Sequence, residues 1–293
     1  MSISPIRLAT GDVNMPSVAQ IKSSVGWSAA LSLEFKNISG KTVLGNTQRK
    51  GPLVVQRAFY PEGDVCHIYL VHPPGGVVGG DVLEIKAELG RETSTLVTTP
   101  GATKFYRSAG PISHQQQTLL VGDNACLEWL PQENIFFPGA RVRSNTQVFL
   151  SLSSRLAIWD IQCLGRPSIS DMFTSGLVDS SVSIFRGDKP VTIERLRVNK
   201  ENMERVSLLR SHPVAASFML VGADEQHLKT TRDLLARSEQ NVEAAVTLIQ
   251  DCLIIRSLGD STNTVQKLFR EIWSLLRPCI FSRAAILPRI WNT

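Results

Sequence analysis

Between Tyr60 and Asp81 the chain reads YPEGDVCHIYLVHPPGGVVGGD. Here Glu62, Asp64, Cys66, His67, His72 and Asp81 supply carboxylate, thiolate and imidazole, the side-chain types that ligate divalent metals. Spacing limits what these donors can do. If Cys66 to His72 is one strand, side chains alternate between its faces, and Cys66 and His72 share a face about 20 Å apart. His67 then points the other way, so a closed site from this segment alone would need a sharp bend. Two uses fit: a staggered row of weak single ligands, or structural donors, with Cys66 a small core residue and the histidines bonded to backbone. Spacing alone favours the structural use. The glycine pairs Gly75-Gly76 and Gly79-Gly80 permit close backbone approach. They suit a tight turn, or room for a channel or partner. Farther on, Glu133 follows Trp129-Leu130-Pro131 and reads as solvated. Asp160 lies among Ile158, Trp159 and Ile161. An inward carboxylate there must be paired or hydrated, and Arg166 is a nearby candidate partner.

Catalytic patterns are missing. Gly40-Lys41-Thr42 invites a nucleotide-binding reading, but a P-loop needs a glycine where Phe35 stands. A hairpin turn fits better. His72-Pro73-Pro74-Gly75-Gly76 resembles an oxyanion-hole loop, yet no G-x-S-x-G presents a nucleophile. The five cysteines are widely spaced and form no C-x-x-C, which argues against a zinc ribbon or thioredoxin-type site and for reduced thiols in a cytoplasmic protein. No apolar run approaches the roughly 18 residues of a membrane span, and the N-terminus lacks the apolar core of a signal peptide. Residues 1–25 read as a flexible arm. The net charge of +5 is spread without a basic block, which favours acidic protein partners over nucleic acid.

The elements that must position the donors are mostly strands. Strand-like runs at 30–35, 53–59, 66–71, 82–87, 95–99, 117–121, 126–130, 146–151 and 156–163 alternate with turn signals, as in a sandwich, barrel or β-helix. No fixed repeat period is visible. The final third is mixed. Asp224 to Ser238 predicts a capped helix and Leu253 to Leu258 a strand, while Asn241 to Asp251 suits either. Ser261 to Leu276 predicts a second helix with Val265, Leu268, Phe269, Ile272 and Leu276 as its apolar stripe, stopped by Pro278. No linker marks a boundary, so residues 26–293 read as one domain, β-rich over 26–200 and mixed over 201–293.

Several long strings carry a resemblance. VQRAFYPE (55–62), CHIYLVHPPGGVVGGD (66–81), TPGATKFYRS (99–108), LEWLPQE (127–133), WDIQCLGRP (159–167) and the closing LPRIW (287–291) look like the urease accessory protein D family, from about Gly26 to the C-terminus. The resemblance implies a mainly β fold, a β-helix-like stack or layered β architecture with a few α-helices in the C-terminal third. It implies a cytoplasmic, non-enzymatic scaffold that joins a helical F-type accessory protein and a G-type GTPase on the urease apoprotein. That complex delivers nickel as GTP is hydrolysed. The nickel is cargo in transit through an internal tunnel, with no permanently bound cofactor. The alternative is an adaptor that opens apo-urease without conducting nickel. Within the matching motifs Glu62, Asp64, Cys66, His67, His72, Asp81, Glu133 and Asp160 are the candidate path residues.

Overall fold

The computed structural model describes residues 26–202, 205, 207–238 and 241–292; the arm expected over 1–25 lies outside them. Strand β1 (Ser28–Ile38) turns back at Ser39-Gly40 into β2 (Lys41–Lys50), an antiparallel hairpin. Gly40 sits there at φ 83°, a left-handed conformation that glycine adopts without strain. After the two-residue β3 (Val54–Val55) the chain begins to coil.

Successive strands now pass to different faces. They are β4 (Cys66–Val71), β5 (Val82–Leu89), β6 (Ser94–Thr98), β7 (Thr103–Phe105), β8 (Ser113–Val121), β9 (Cys126–Trp129), β10 (Asn134–Phe136), β11 (Arg141–Leu150), β12 (Arg155–Arg166), β13 (Asp171–Met172) and β14 (Leu177–Arg186). On the first face β1, β5, β8, β11 and β14 pair in parallel. On the second β4, β6, β9 and β12 do so. A short third face is formed by β7, β10 and the end of β12, again in parallel. Each turn of chain thus adds one rung to every face, the stacked-coil architecture that the resemblance implied.

Antiparallel strands close the stack. β15 (Lys189–Asn199) extends the first face, and β16 (Val214–Val221), β18 (Cys252–Gly259) and β17 (Val242–Ile249) extend the second in that order. The ambiguous 241–251 segment is therefore a strand. Between them α1 (Glu225–Arg237) starts at Asp224, whose Oδ1 accepts from His227 N while His227 Nδ1 accepts from Asp224 N, both at 3.1 Å, satisfying donors a helix start leaves open.

Two corrections concern local signals. The predicted strand over 53–59 shrinks to Val54–Val55, and Phe59 pairs only by a single bridge with His67. Pro278 does not stop the last helix. α2 runs Thr262–Phe281 and ends at Ser282, which is left-handed at φ 55°. Proline removes one backbone hydrogen bond, but Ile280 and Phe281 beyond it are buried, and that burial holds the extra turn in place.

Apolar side chains form two layers. One, including Phe35, Ile68, Leu119, Val148 and Ile184, fills the space between the first and second faces. The other packs Trp159, Phe218 and Val246 of the second face against Leu268, Phe269 and Trp273 of α2. The predicted stripe of α2 is buried in full. Among the described residues no helix is long and apolar enough to cross a membrane.

Candidate functional site

The donors of the Tyr60–Asp81 stretch divide between two places. β4 buries Cys66 in the layer between faces, and burial pushes its thiol up. Tyr60 beside it is pushed up to about 12, by burial and then by Cys66. His67 points the other way, as alternation requires. Its Nε2 lies 2.6 Å from Glu62 Oε1. The same carboxylate accepts from Arg277 Nη1 and Nη2 of α2 at 2.8 and 2.9 Å. Arg277, wholly buried, also donates from Nε and Nη2 to Glu128 of β9 at 2.8 to 3.1 Å, and Trp273 Nε1 donates to Glu128 Oε2 at 2.6 Å. Burial alone would raise the Glu62 carboxyl; the bonds from His67 and Arg277 and the guanidinium charge outweigh it and hold it below the usual range. Asp64 accepts a two-pronged bond from Arg283 at 2.9 and 2.7 Å, which likewise holds its carboxyl low. Glu62, Asp64 and His67 thus tie the loop before β4 to the end of α2.

Asp81 caps backbone. Its Oδ1 accepts from Trp27 N at 2.8 Å and its Oδ2 from Val78 N at 3.0 Å. The glycine-rich turn before it is a close approach: a Cβ on Gly76 would lie 2.1 Å from the Tyr106 ring, and one on Gly79 would lie 2.2 Å from Ser108 Oγ. Glu133 is held rather than solvated. Gln266 Nε2 and Thr262 Oγ1 of α2 donate to it at 2.5 and 3.4 Å.

His72 and Asp160 share a cavity. The inward side of the first face carries polar side chains in register: Gln115, Ser144 and Ser180 form one rung, and Gln117 and Thr146, beside Val182, form the next. Gln117 Oε1 accepts from Trp129 Nε1 at 3.1 Å and from Thr146 Oγ1 at 3.3 Å. Opposite them, on β12, Asp160 accepts from Ser180 Oγ at 3.2 Å and from Asn134 Nδ2 at 3.4 Å. Arg166 is not its partner. That guanidinium bonds Asp171, with Nε at 2.7 Å, because β12 turns into β13 there.

A cavity of about 230 Å³ lies on one side of Asp160, with His72, Gln117 and Asn134 in its wall and exposed Gly101 and Lys104 on its lining. A second, of about 510 Å³, lies on the other side, with Gln162, Ser180 and Ser217 in its wall and exposed Arg195, Arg210, Glu243 and Arg256 on its lining. Asp160 and Val182 line both. The part of Asp160 that protein atoms leave uncovered faces these cavities. Arg256 bonds Glu194 from the opposite sheet through Nε at 2.8 Å and Nη2 at 2.5 Å, and Arg210 Nη1 lies 2.8 Å from Glu243. The arginines are therefore neutralised locally.

Enclosure pushes the Asp160 carboxyl up, against the bonds from Gln162, Ser180 and Asn134. Burial lowers the His72 imidazole, with Asp81 opposing, so it stays neutral at neutral pH. The Asp160 shift predicts a stability effect. With its native pKa above the unfolded one, the native state binds the extra proton, and parent stability falls as pH rises through that window. Asp160→Asn cannot ionise. It is expected to be more stable than the parent at pH 8 and to lose that advantage towards pH 4, read from urea midpoints; parallel pH profiles would refute the assignment.

Among the described residues no three of His, Cys, Asp and Glu are grouped so as to hold a metal ion. The polar rungs could have been found in the sequence. In Ser113–Val121 (SHQQQTLLV) every second residue faces inward, and two of those positions are glutamine.

The profile of the family described as UreD urease accessory protein matches residues 28–292. A protein of Alcanivorax borkumensis named urease accessory protein UreD is 45% identical over 273 residues, covering 92% of this chain and 93% of its own length. Proteins of the same name from Klebsiella aerogenes and Pseudomonas putida are each 42% identical, covering 92% and 94% of this chain and 97% and 98% of their own.

Proposed function

Because the chain belongs to the UreD family of urease accessory proteins, which places it in urease maturation, we propose that it is a non-enzymatic scaffold through whose interior nickel reaches the apoprotein. In this reading a helical F-type accessory protein and a G-type GTPase are its partners, GTP is hydrolysed on the GTPase, and the complex works in the cytoplasm. The observation that carries the reading is the pair of cavities meeting at Asp160, walled by polar rungs where a β-stack ordinarily places apolar side chains. Conduction requires binding that is favourable enough to enter and weak enough to leave. Asp160, bonded by a neutral amide and a hydroxyl, and His72, on the wall of the same cavity, are single weak ligands of that kind. Of the other nominated residues, Glu62, Asp64, His67, Asp81 and Glu133 hold neighbouring elements together and Cys66 fills the core. Their proposed part is to shape the passage.

The test separates a conduit from an adaptor. Replacing Asp160 by leucine removes the carboxylate and narrows the waist. The complex with apo-urease is expected to form at parent yield, while the urease recovered carries little nickel. Asp160→Ala is expected to do less, since water fills the gap and bridges the ion. Full nickel loading with Asp160→Leu would favour the adaptor, and joint loss of complex and nickel would mark a structural role. The purified chain is also expected to hydrolyse neither GTP nor urea. Turnover abolished by substitution within this chain would count against the scaffold.

A further inference from the structure

The outward side of the first face carries an unbalanced charge. On β8, β11, β14 and β15 its only carboxylate is Asp179. Glu194, the other acid on these strands, bonds Arg256 of the opposite sheet instead. Asp179 is flanked in register by Arg143 of β11 and Arg197 of β15, both exposed. Its two oxygens are already taken by Arg195, two residues before Arg197, which donates Nε to Oδ1 and Nη2 to Oδ2, each at 2.8 Å. Those bonds, with the charges of Arg195, Arg197 and Arg143 behind them, hold the Asp179 carboxyl below the usual range against its burial. Among the described residues neither Arg143 nor Arg197 has a hydrogen-bonded acceptor or an ion pair of its own. Arg141, two residues before Arg143 on the same side, adds a fourth guanidinium. His114, opposite Arg143 on β8, adds no charge at neutral pH, since burial and that guanidinium both lower its imidazole. The sheet fixes where these side chains start. Neighbouring strands lie about 4.8 Å apart, so the stems of Arg143 and Arg197 begin about 10 Å apart on either side of Asp179.

We propose that this arginine rung is a docking surface for an acidic segment of a partner protein, whose carboxylates take the two guanidinium forks that Asp179 leaves free. A planar guanidinium accepts a carboxylate through two parallel bonds. Carboxylates two helical turns apart span about 11 Å, close to the spacing of the two stems. Asp179 has a part in this: it holds Arg195 aside and keeps the local excess of charge modest in the free protein. Nucleic acid fits less well. A salt-driven nucleic-acid binder neutralises about six to ten phosphates, more than the four arginines here can meet. No aromatic side chain stands on this rung or on the neighbouring outward rungs to stack a base. Arg195 also lies on the lining of the second cavity. A segment seated on the rung therefore stands at the edge of that cavity without entering it. The inference concerns the outer surface alone and does not depend on the interior route.

The probe is fluorescein-labelled poly-L-glutamate, titrated with the full-length chain and followed by anisotropy at low salt. Replacing Arg143 and Arg197 together by serine is expected to loosen binding about tenfold, with the difference from the parent shrinking as salt is raised. Asp179→Asn removes the competing carboxylate and is expected to tighten binding. The opposite directions guard against a folding artefact, and each variant's melting curve is compared with the parent's. Lys229→Ser with Arg232→Ser, on the exposed side of α1, changes the net charge by the same amount and is expected to leave binding near the parent's. Equal loosening by this control pair would reduce the effect to net charge and overturn the patch. Parent-like binding after loss of Arg143 and Arg197 would overturn it too. A single-stranded oligonucleotide of equal charge is run in parallel. Tighter binding of that oligonucleotide, lost in the same double variant, would make phosphate the occupant and overturn the acidic protein segment.

Discussion

Replacing Arg277 by methionine is expected to destabilise the protein by about 3–5 kcal/mol, as when one partner is removed from a buried ion pair. The guanidinium lies between two carboxylates, Glu62 and Glu128, whose side chains are 6% and 4% exposed while its own is 0%. Methionine keeps much of the volume but leaves both carboxylates facing no positive charge from α2. The buried pair is weak evidence of net stability in itself; the asymmetry of breaking it is what the measurement reads. Two controls make the origin visible. Adding Glu62→Gln and Glu128→Gln to Arg277→Met is expected to recover part of the loss, because the stranded charges are gone. Lowering the pH is expected to narrow the gap between parent and Arg277→Met. The Glu62 carboxyl is held below its usual range in the parent, so its contribution is present above the unfolded pKa and lost as pH falls through the folded one. A change under about 1 kcal/mol in denaturant unfolding, small for a buried charge, would show that the cluster is not the clasp described.

Trp291→Ala is expected to lower stability by a similar amount, about 3–5 kcal/mol. The structure places the tryptophan of the closing LPRIW string in the core. Trp291 is 5% exposed. Its Nε1 donates to Thr98 Oγ1 at 2.9 Å, and its ring lies 5.2 Å from Trp159 and 5.5 Å from Trp273. Arg270 stacks on it at 5.1 Å and donates to its carbonyl at 2.9 Å. Truncation from Ile286 onward therefore removes a core residue, and loss of partner binding should follow loss of fold. Melting of the truncated chain at the parent temperature, with binding alone impaired, would instead make the tail a docking element.

Strand rhythm and both helices were legible because alternation and the α2 stripe are local patterns. Strands β14, β15 and β16 went unseen, and the polar edge strand β2 was implied only by the hairpin turn at Gly40-Lys41-Thr42, since LVDSSVSIFR and KTVLGNTQRK mix polar and apolar residues without a clear local sign of which face is covered. Pro278 misled because a local breaker was weighed without the burial of the residues beyond it. Asp160 stood out in the sequence as a carboxylate among apolar neighbours, but Asn134 and Ser180, which bond it, lie on β10 and β14, a relation no local pattern contains. The donor-rich segment drew attention to Glu62 and His67. Their counterpart Arg277 was hidden in an apolar helix face, where one charged residue reads as a boundary rather than a keystone.

The bond from Arg277 to Glu62 spans 215 positions, and this separation bears on how the chain is made. During synthesis the first coils leave the ribosome with Glu62 and Glu128 already present and their counter-charge not yet translated. A nascent stack lacking α2 would hold stranded carboxylates beside the hydrophobic surface that the helix later covers. Any chain that stops before Arg277 lacks the group that neutralises Glu62 and Glu128.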